Sequence, residues 1–324
     1  MVKRKLLVII ASVFLAAAII FVVIYNIKSK NVNATIYVMP KEYSEVTTDF
    51  WISMVNGAKA ASEELDVDIE ILAPEREVEY EEQQQYIDEV LNKDPMAVVL
   101  CPCSPTETYP YAKKIEDADI PLVIVDSVME KSVGDCVVST DNIHAGLIMG
   151  EYIKKKITDN DYIGIISHVK GSSTAVERES GVREGLADSE DRIVSVVYSN
   201  SDYDQAYSET LKMLDDHPEI TIIAGLNEYS ATGAARAIKD SGRAGKIMLI
   251  GFDSSIEEIQ LLEEGVFEAI VVQYPFDMGY LGVLNAYKLA RGENVEFSVD
   301  SGTSLITKED IYKEENQKNL FPFS

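Results

Sequence analysis

From residue 35 onward the chain alternates short apolar runs, rich in β-branched residues, with longer amphipathic segments. The runs occupy residues 35–39, 67–72, 97–100, 122–125, 136–139, 162–166, 193–198, 221–224, 247–250 and 269–272. Most are continuous rather than alternating, as in parallel strands covered on both faces. Between them, Trp51, Val55, Ala58 and Leu65 share one helical face, and Leu211, Met213 and Leu214 precede a stop at His217-Pro218. Alternation at this spacing predicts βαβ units, and ten strands with two amphipathic series predict an α/β protein of two doubly wound parallel sheets. The acidic stretch 75–82 reads as the solvated face of a helix.

The first 34 residues break this rhythm. Lys3-Arg4-Lys5 precede residues 6–27, a 22-residue apolar run in which Ser12 and Asn26 are the polar positions. At 1.5 Å per residue the run spans about 30 Å, the thickness of a bilayer core. It exceeds the roughly 7–15 apolar residues of a cleaved signal. Residues 1–34 are therefore predicted to be a retained membrane anchor, with cleavage after Val32-Asn33-Ala34 as the alternative. The leading basic residues keep the N-terminus cytoplasmic, so the body lies extracytoplasmic and tethered. A lipid-bearing cysteine is excluded there, because the first cysteine is Cys101.

Charge follows the same division. The 324 residues carry 55 acidic and 29 basic side chains, a net of −26. Five of the basic residues and no acid fall within residues 1–34, so the remainder stands at 24 against 55, or −31. Such a body repels phosphate backbones, and nucleic acid is excluded as a partner. The length fits two domains with adequate cores, with one large α/β domain as the alternative on this count alone. Cys101, Cys103 and Cys136 form no disulfide framework, and His144, His168 and His217 are isolated, so no metal is expected. No Gly-flanked nucleophilic serine, phosphate loop or zinc motif points to an enzyme, and no cofactor is predicted.

In open parallel sheets ligands bind beyond the carboxyl ends of the strands. The residues there are Cys101-Pro102, Asp126-Ser127, Asn227-Glu228, Asp253-Ser254 and Gln273-Tyr274, and two further loops carry Asp49-Phe50-Trp51 and Asp202-Tyr203-Asp204. Planar carboxylates and amides pair with adjacent hydroxyls, and aromatic faces cover C–H surface, so this set suits a neutral polyhydroxylated ligand. Each acidic or amide residue could instead cap the following helix.

Taken in order, Phe50-Trp51 ahead of Gly57, the segment STAVERESG at 173–181, Asn227-Glu228 ahead of Gly233-Ala234, Gly251-Phe252-Asp253 and Gln273 closely resemble the ribose-binding branch of the type I periplasmic sugar-binding proteins. The resemblance runs from about residue 35 to 307. DNA-binding sugar repressors share this core, but they need an N-terminal helix-turn-helix where this chain has an apolar span. The resemblance implies two lobes joined by a three-strand hinge, with residues 35–140 plus 274–300 in lobe 1 and 141–273 plus 301–324 in lobe 2. The crossings would fall near Thr140-Asp141, Gln273-Tyr274 and Asp300-Ser301. It also implies that Phe50 and Trp51 sandwich a sugar from the first lobe, with Tyr203 adding from the second. Asp126, Arg178, Asn227, Asp253 and Gln273 would bond its hydroxyls.

The chain departs from that pattern mainly in the first lobe. Ser127 follows Asp126 where the family has Arg, Thr48 and Cys101 stand where it has Asn, and the loop 40–48 is longer and carries Lys41. Lys41, Thr48, Cys101 and Ser127 are thus further candidates for ligand contact, and the expected ligand is a monosaccharide or polyol rather than ribose in particular. The implied function is the substrate-binding component of an ABC sugar transporter, partnered by its permease. A membrane-tethered sensor signalling to a two-component histidine kinase is the alternative.

Overall fold

The computed structural model describes residues 35–44 and 47–321. Residues 1–34, where the sequence places an anchor or signal, lie outside them. Among the described residues no helix is long and apolar enough to cross a membrane.

Strands β1 (Thr35–Met39), β2 (Asp68–Ile71), β3 (Ala97–Leu100), β4 (Leu122–Val125), β5 (Cys136–Ser139) and β11 (Ser298–Asp300) form one sheet, ordered β11-β5-β4-β3-β1-β2 and parallel throughout. Strands β6 (Tyr162–Ser167), β7 (Ile193–Tyr198), β8 (Ile220–Gly225), β9 (Met248–Phe252), β10 (Phe267–Gln273) and β12 (Thr303–Thr307) form the second, ordered β12-β10-β9-β8-β6-β7, with β12 antiparallel to β10. Every residue of β3 and β4 is buried, which is why their runs are continuously apolar. The edge strands β11 and β12 lie outside the ten apolar runs because their sequences, SVD and TSLIT, are short and mix polar with apolar residues, with only Ile306 fully buried between them.

Helices α1 (Asp49–Leu65), α2 (Tyr80–Val90), α3 (Tyr109–Asp117) and α9 (Pro275–Ala290) cover the first sheet. Helices α4 (Asn142–Lys156), α5 (Ser173–Leu186), α6 (Tyr203–Asp216), α7 (Glu228–Asp240) and α8 (Ile256–Glu264) cover the second, and α10 (Glu314–Leu320) ends the described chain. Each sheet separates two apolar layers: Ile36 and Val38 face Trp51 and Val55, while Tyr37 and Met39 face Ile87 and Ile115. Helix α1 buries Trp51, Met54, Val55, Ala58 and Ala61, the spacing of one helical stripe. It packs on α9 with their backbones nearly touching, since a Cβ on Gly57 or Gly279 would overlap the Phe276 or Met54 carbonyl.

The chain crosses between the sheets after β5, after β10 and between β11 and β12. All three crossings lie along one edge of each sheet, so β2 and β7 stand at the edges farthest from them. Thr140 and Ser301 share a buried hydroxyl hydrogen bond of 3.3 Å between two of the crossing segments. Gly302 in the third crossing has φ +90°, and a Cβ there would also meet the Tyr274 ring.

The acidic stretch is not one helical face. Helix α2 starts only at Tyr80, so residues 75–79 form the loop after β2, and Glu77 turns inward from it.

Candidate binding cleft

The carboxyl ends of both sheets meet at a narrow cleft between the lobes. Its second-lobe wall is built from backbone outward. Asp253 follows β9 with φ +85°, a left-handed conformation that costs a non-glycine residue energy and aims its carboxylate inward. Its Oδ1 accepts from Gln273 Nε2 at 2.6 Å and its Oδ2 from the Glu228 N–H at 2.8 Å. Burial pushes the Asp253 carboxyl pKa up, against the opposing pull of Arg178. Gln273, at the last position of β10 where the chain crosses lobes, leaves its buried Oε1 without a partner.

Arg178 is held by close packing of α4 on α5. A Cβ on Gly146 or Gly181 would overlap the facing carbonyl, of Arg178 or Ile143 respectively, so the two backbones nearly touch. Arg178 Nε then donates to Asn142 Oδ1 and Nη1 to the Leu226 carbonyl, both at 2.8 Å, and the guanidinium lies 3.9 Å from the Phe252 ring centroid. Asn227 caps α7 through Oδ1, which accepts from the Ser230 N–H at 2.9 Å. Capping and facing the cleft are thus compatible, because its amide group stays on the cleft side and donates to Ser201 Oγ at 3.4 Å. His168 bonds Thr174 Oγ1 at 2.8 Å through Nε2, and both line the cleft. Burial, then Arg178 and Lys41, hold its pKa far below the usual histidine value, so the imidazole is neutral.

The first-lobe wall is carried by loops and one helix start. Lys41 and Asp126, each about 5% exposed, form an ion pair of 2.6 Å, and Ser127 bonds both. Burial works against the Lys41 charge, but Asp126 and then Glu77 outweigh it and leave its pKa raised. Asp126 repeats the left-handed device of Asp253, with φ +66°. Thr48 lines the cleft just ahead of α1. Phe50 and Trp51 stand with rings 4.8 Å apart at 87°, so they form a corner and not the parallel plates of a sandwich.

Of the residues singled out from sequence, Phe50, Trp51, Asp126, Arg178, Asn227, Asp253, Gln273, Lys41 and Thr48 line the cleft. Tyr203, Cys101 and Ser127 do not. Tyr203 stands one layer back, donating from its hydroxyl to Glu228 Oε1 at 2.7 Å and packing on the Tyr229 ring at 4.6 Å. Cys101 is fully buried, and its carbonyl accepts from Gln83. Ser127 supports Lys41 and Asp126 from behind.

Sequence reasoning missed Glu77, His168, Thr174 and Tyr229, and it saw in Glu228 only a motif residue. Glu228 is detectable by its place directly after Asn227 at a strand end; burial and the nearby Asp253 and Asp49 raise its pKa to about 8. Glu77 gives no signal, because it is one carboxylate among many in an acidic loop. Among the described residues no group of three or more His, Cys, Asp or Glu could hold a metal ion.

Contacts across the cleft show the lobes closed on each other. The Tyr229 hydroxyl donates to Glu42 Oε1, the Phe50 N–H to Glu228 Oε2 at 3.4 Å and the Ile256 N–H to Asp49 Oδ2 at 2.9 Å. The arrangement can hold a compact hydroxylated molecule and shield it from water, with hydrogen-bonding groups on one side and an aromatic corner on the other.

Residues 36–294 match the periplasmic binding protein domain family. A D-ribose/D-allose-binding protein of Pseudomonas aeruginosa is 26% identical over 79% of this chain and 82% of its own length. The ribose import binding protein of Salmonella typhimurium is 24% identical over 82% and 89%. Among solved structures, a sugar transporter from Clostridium phytofermentans is 43% identical with a TM-score of 0.80, covering 85% of this chain and 99% of that one. An ABC transporter solute-binding protein from Agrobacterium vitis with bound D-fucose is 30% identical with a TM-score of 0.83, covering 89% and 100%. The family is one of solute-binding proteins of transporters, not of enzymes. The chain belongs to the type I periplasmic sugar-binding protein family, in its ribose-binding-like branch.

Proposed function

We propose that this protein captures a neutral monosaccharide or related polyol between its lobes and delivers it, as the substrate-binding component, to an ABC sugar permease. The observation that carries this reading is the fixed polar row of Arg178, Asn227, Asp253 and Gln273 facing the Phe50–Trp51 corner across the cleft. Carboxylates outnumber cations in the lining, Glu77, Asp126, Glu228 and Asp253 against Lys41 and Arg178. Lys41 is already paired with Asp126, so an acidic sugar would meet no unpaired lysine. The names of the relatives, which bind ribose, allose and fucose, support the same ligand class.

The proposed action is hinge closure about the three crossings. Sugar bound to one wall gains contacts to the other only when the lobes meet, so binding shifts the population toward the closed form that a permease reads. The test is a thermal-shift and calorimetry screen of pentoses, hexoses, polyols and hexuronates. Stabilisation by one or a few neutral sugars is expected, and a flat response from a folded protein would defeat the assignment.

A further inference from the structure

The edges of the two sheets farthest from the crossings end in loops that meet at the mouth of the cleft. The loop after β2 carries Glu77, and the loop after β7 carries Ser201. Glu77 uses both carboxylate oxygens there: Oε1 accepts from Trp51 Nε1 at 2.9 Å, and Oε2 accepts from Ser201 Oγ at 2.5 Å. Ser201 is buried and also accepts from Asn227 Nδ2. A continuous relay, Trp51 to Glu77 to Ser201 to Asn227, therefore runs from a cleft-lining aromatic of one lobe to a cleft-lining amide of the other. The loop that presents Ser201 is held in an uncommon conformation, with Asn200 and Ser201 both at φ +51°. Tyr229 to Glu42 forms a second bridge beside it.

We propose that Glu77 is a positioning residue that ties the orientation of Trp51 to closure of the cleft mouth through Ser201. The link between Glu77 and Ser201 exists only when the lobes are closed, and it sits where opening about the crossings displaces them most. A ligand against Trp51 fixes the indole N–H, which fixes Glu77, which presents Oε2 to Ser201. A glutamine at position 77 keeps the shape, but with its oxygen turned to Trp51 it presents an amide donor to Ser201, so the hydroxyl must turn from donor to acceptor and the charge-assisted bond across the mouth becomes a neutral one of about half the strength. The relay thus sets how long a ligand stays, more than how fast it arrives.

This inference rests on the sugar-binding reading, and Trp51 provides its own probe, being the one tryptophan in the chain. The full chain in mild detergent is titrated with D-ribose, D-allose and D-fucose while indole emission is followed at equilibrium and by stopped flow. Glu77→Gln and Ser201→Ala should each raise the dissociation rate about tenfold, with the association rate within about twofold of wild type. Glu77→Gln should also alter the ligand-induced emission change, a signature that loss of general stability does not produce. The double variant should be no worse than either single one, since both break the same link. Thermal unfolding without ligand should match wild type and so separates these effects from misfolding. A wild type that responds to a sugar while both variants release it within about twofold of the normal rate, or whose double variant is additive, overturns the relay alone. A wild-type emission unmoved by any of the sugars overturns the sugar reading and the relay with it.

Discussion

The two walls of the cleft are made differently. On the second lobe Arg178, Asn227, Asp253 and Gln273 are each fixed by backbone or helix geometry: a glycine-spaced helix pair, a helix cap, a left-handed strand end and a crossing strand. On the first lobe Asp126 repeats the left-handed strand end, but Lys41 and Glu77 sit on loops, and Phe50 and Trp51 on the opening turn of a helix. The second wall is preorganised, so under the proposed function it would supply affinity for hydroxyl groups at little ordering cost. The first wall is set by long side chains paired with one another, and it is where a different sugar can be accommodated by changing few residues.

The strongest way to break that contrast is Asp253→Ala. Under the proposed function a sugar would make two hydrogen bonds to this carboxylate, each contributing about 1.5–3 kcal/mol, so affinity for the best sugar of the screen should fall at least about 100-fold by calorimetry. The order of preference among the remaining sugars should not change. A variant that binds normally would remove the second wall from the site.

A second test acts on both walls at once through pH. Glu42 on the first lobe has its pKa raised to about 7 by burial and by Glu77, against the hydrogen bonds from Tyr229 and Thr47. Glu228 on the second is raised to about 8 by burial, Asp253 and Asp49, with Tyr203 and the Phe50 N–H pulling the other way. Glu258, behind Glu228, is pushed up as well by burial and by Glu228 and Asp253. A carboxylate whose pKa rises on closure takes up a proton as the lobes meet. Closure is therefore most favoured below the ordinary carboxylate pKa of 4.5, and the advantage is lost progressively as pH rises from there, fully by about 7 for Glu42 and about 8 for Glu228. Sugar affinity should weaken roughly tenfold from pH 6 to 9, the size of one pKa unit of linkage. Glu42→Gln should flatten the lower part of the profile and Glu228→Gln the upper part, and a pH-independent affinity would show that neither carboxylate is engaged by closure.

The same contrast explains what could be read from the chain. The runs at β3 and β4 mark strands because parallel strands buried on both faces leave continuous apolar segments, and the half-buried edge strands β2 and β7 are still marked by their β-branched residues, whereas the short, mixed sequences of β11 and β12 leave no such run. Asn227, Asp253 and Gln273 are legible because a strand end positions them directly, so their place in the order of the chain is their place in the cleft. Tyr203 has the right residue type and loop, yet its hydroxyl is taken by Glu228, a long-range pairing that spacing cannot reveal. Glu77 is invisible for the same reason, since only the packing of β2 at the far sheet edge brings it to Trp51. Lys41 stands between these cases: its loop reads as a departure from the family pattern, but only the fold shows it paired with Asp126.

That pairing makes Lys41→Arg the sharper probe of selectivity. The substitution keeps the charge that Asp126 needs, so folding should survive. A planar guanidinium donates in a fixed fork where an ammonium donates as a point, and the geometry offered to the sugar changes. Relative affinities among epimeric sugars should shift by about threefold to fivefold by calorimetry, less than one buried hydrogen bond's worth. An unchanged ranking would move selectivity to the second wall.

The smallest effect is expected at the rim. Arg76 and Asp202 also join the lobes, at 3.5 Å, with side chains 52% and 39% exposed. They adjoin Glu77 and Ser201 in sequence and bridge the same mouth, so position alone would rank them with the relay. Burial separates the two. An exposed pair in water gains about 0–1 kcal/mol, is screened by salt and must hold two mobile side chains in one geometry. Arg76→Ala should therefore change the sugar dissociation rate by less than about twofold, and any change should vanish as salt is raised. A tenfold acceleration that persists in high salt would mean that the mouth is held by charge at its rim, and the buried link between Glu77 and Ser201 would lose its distinct role.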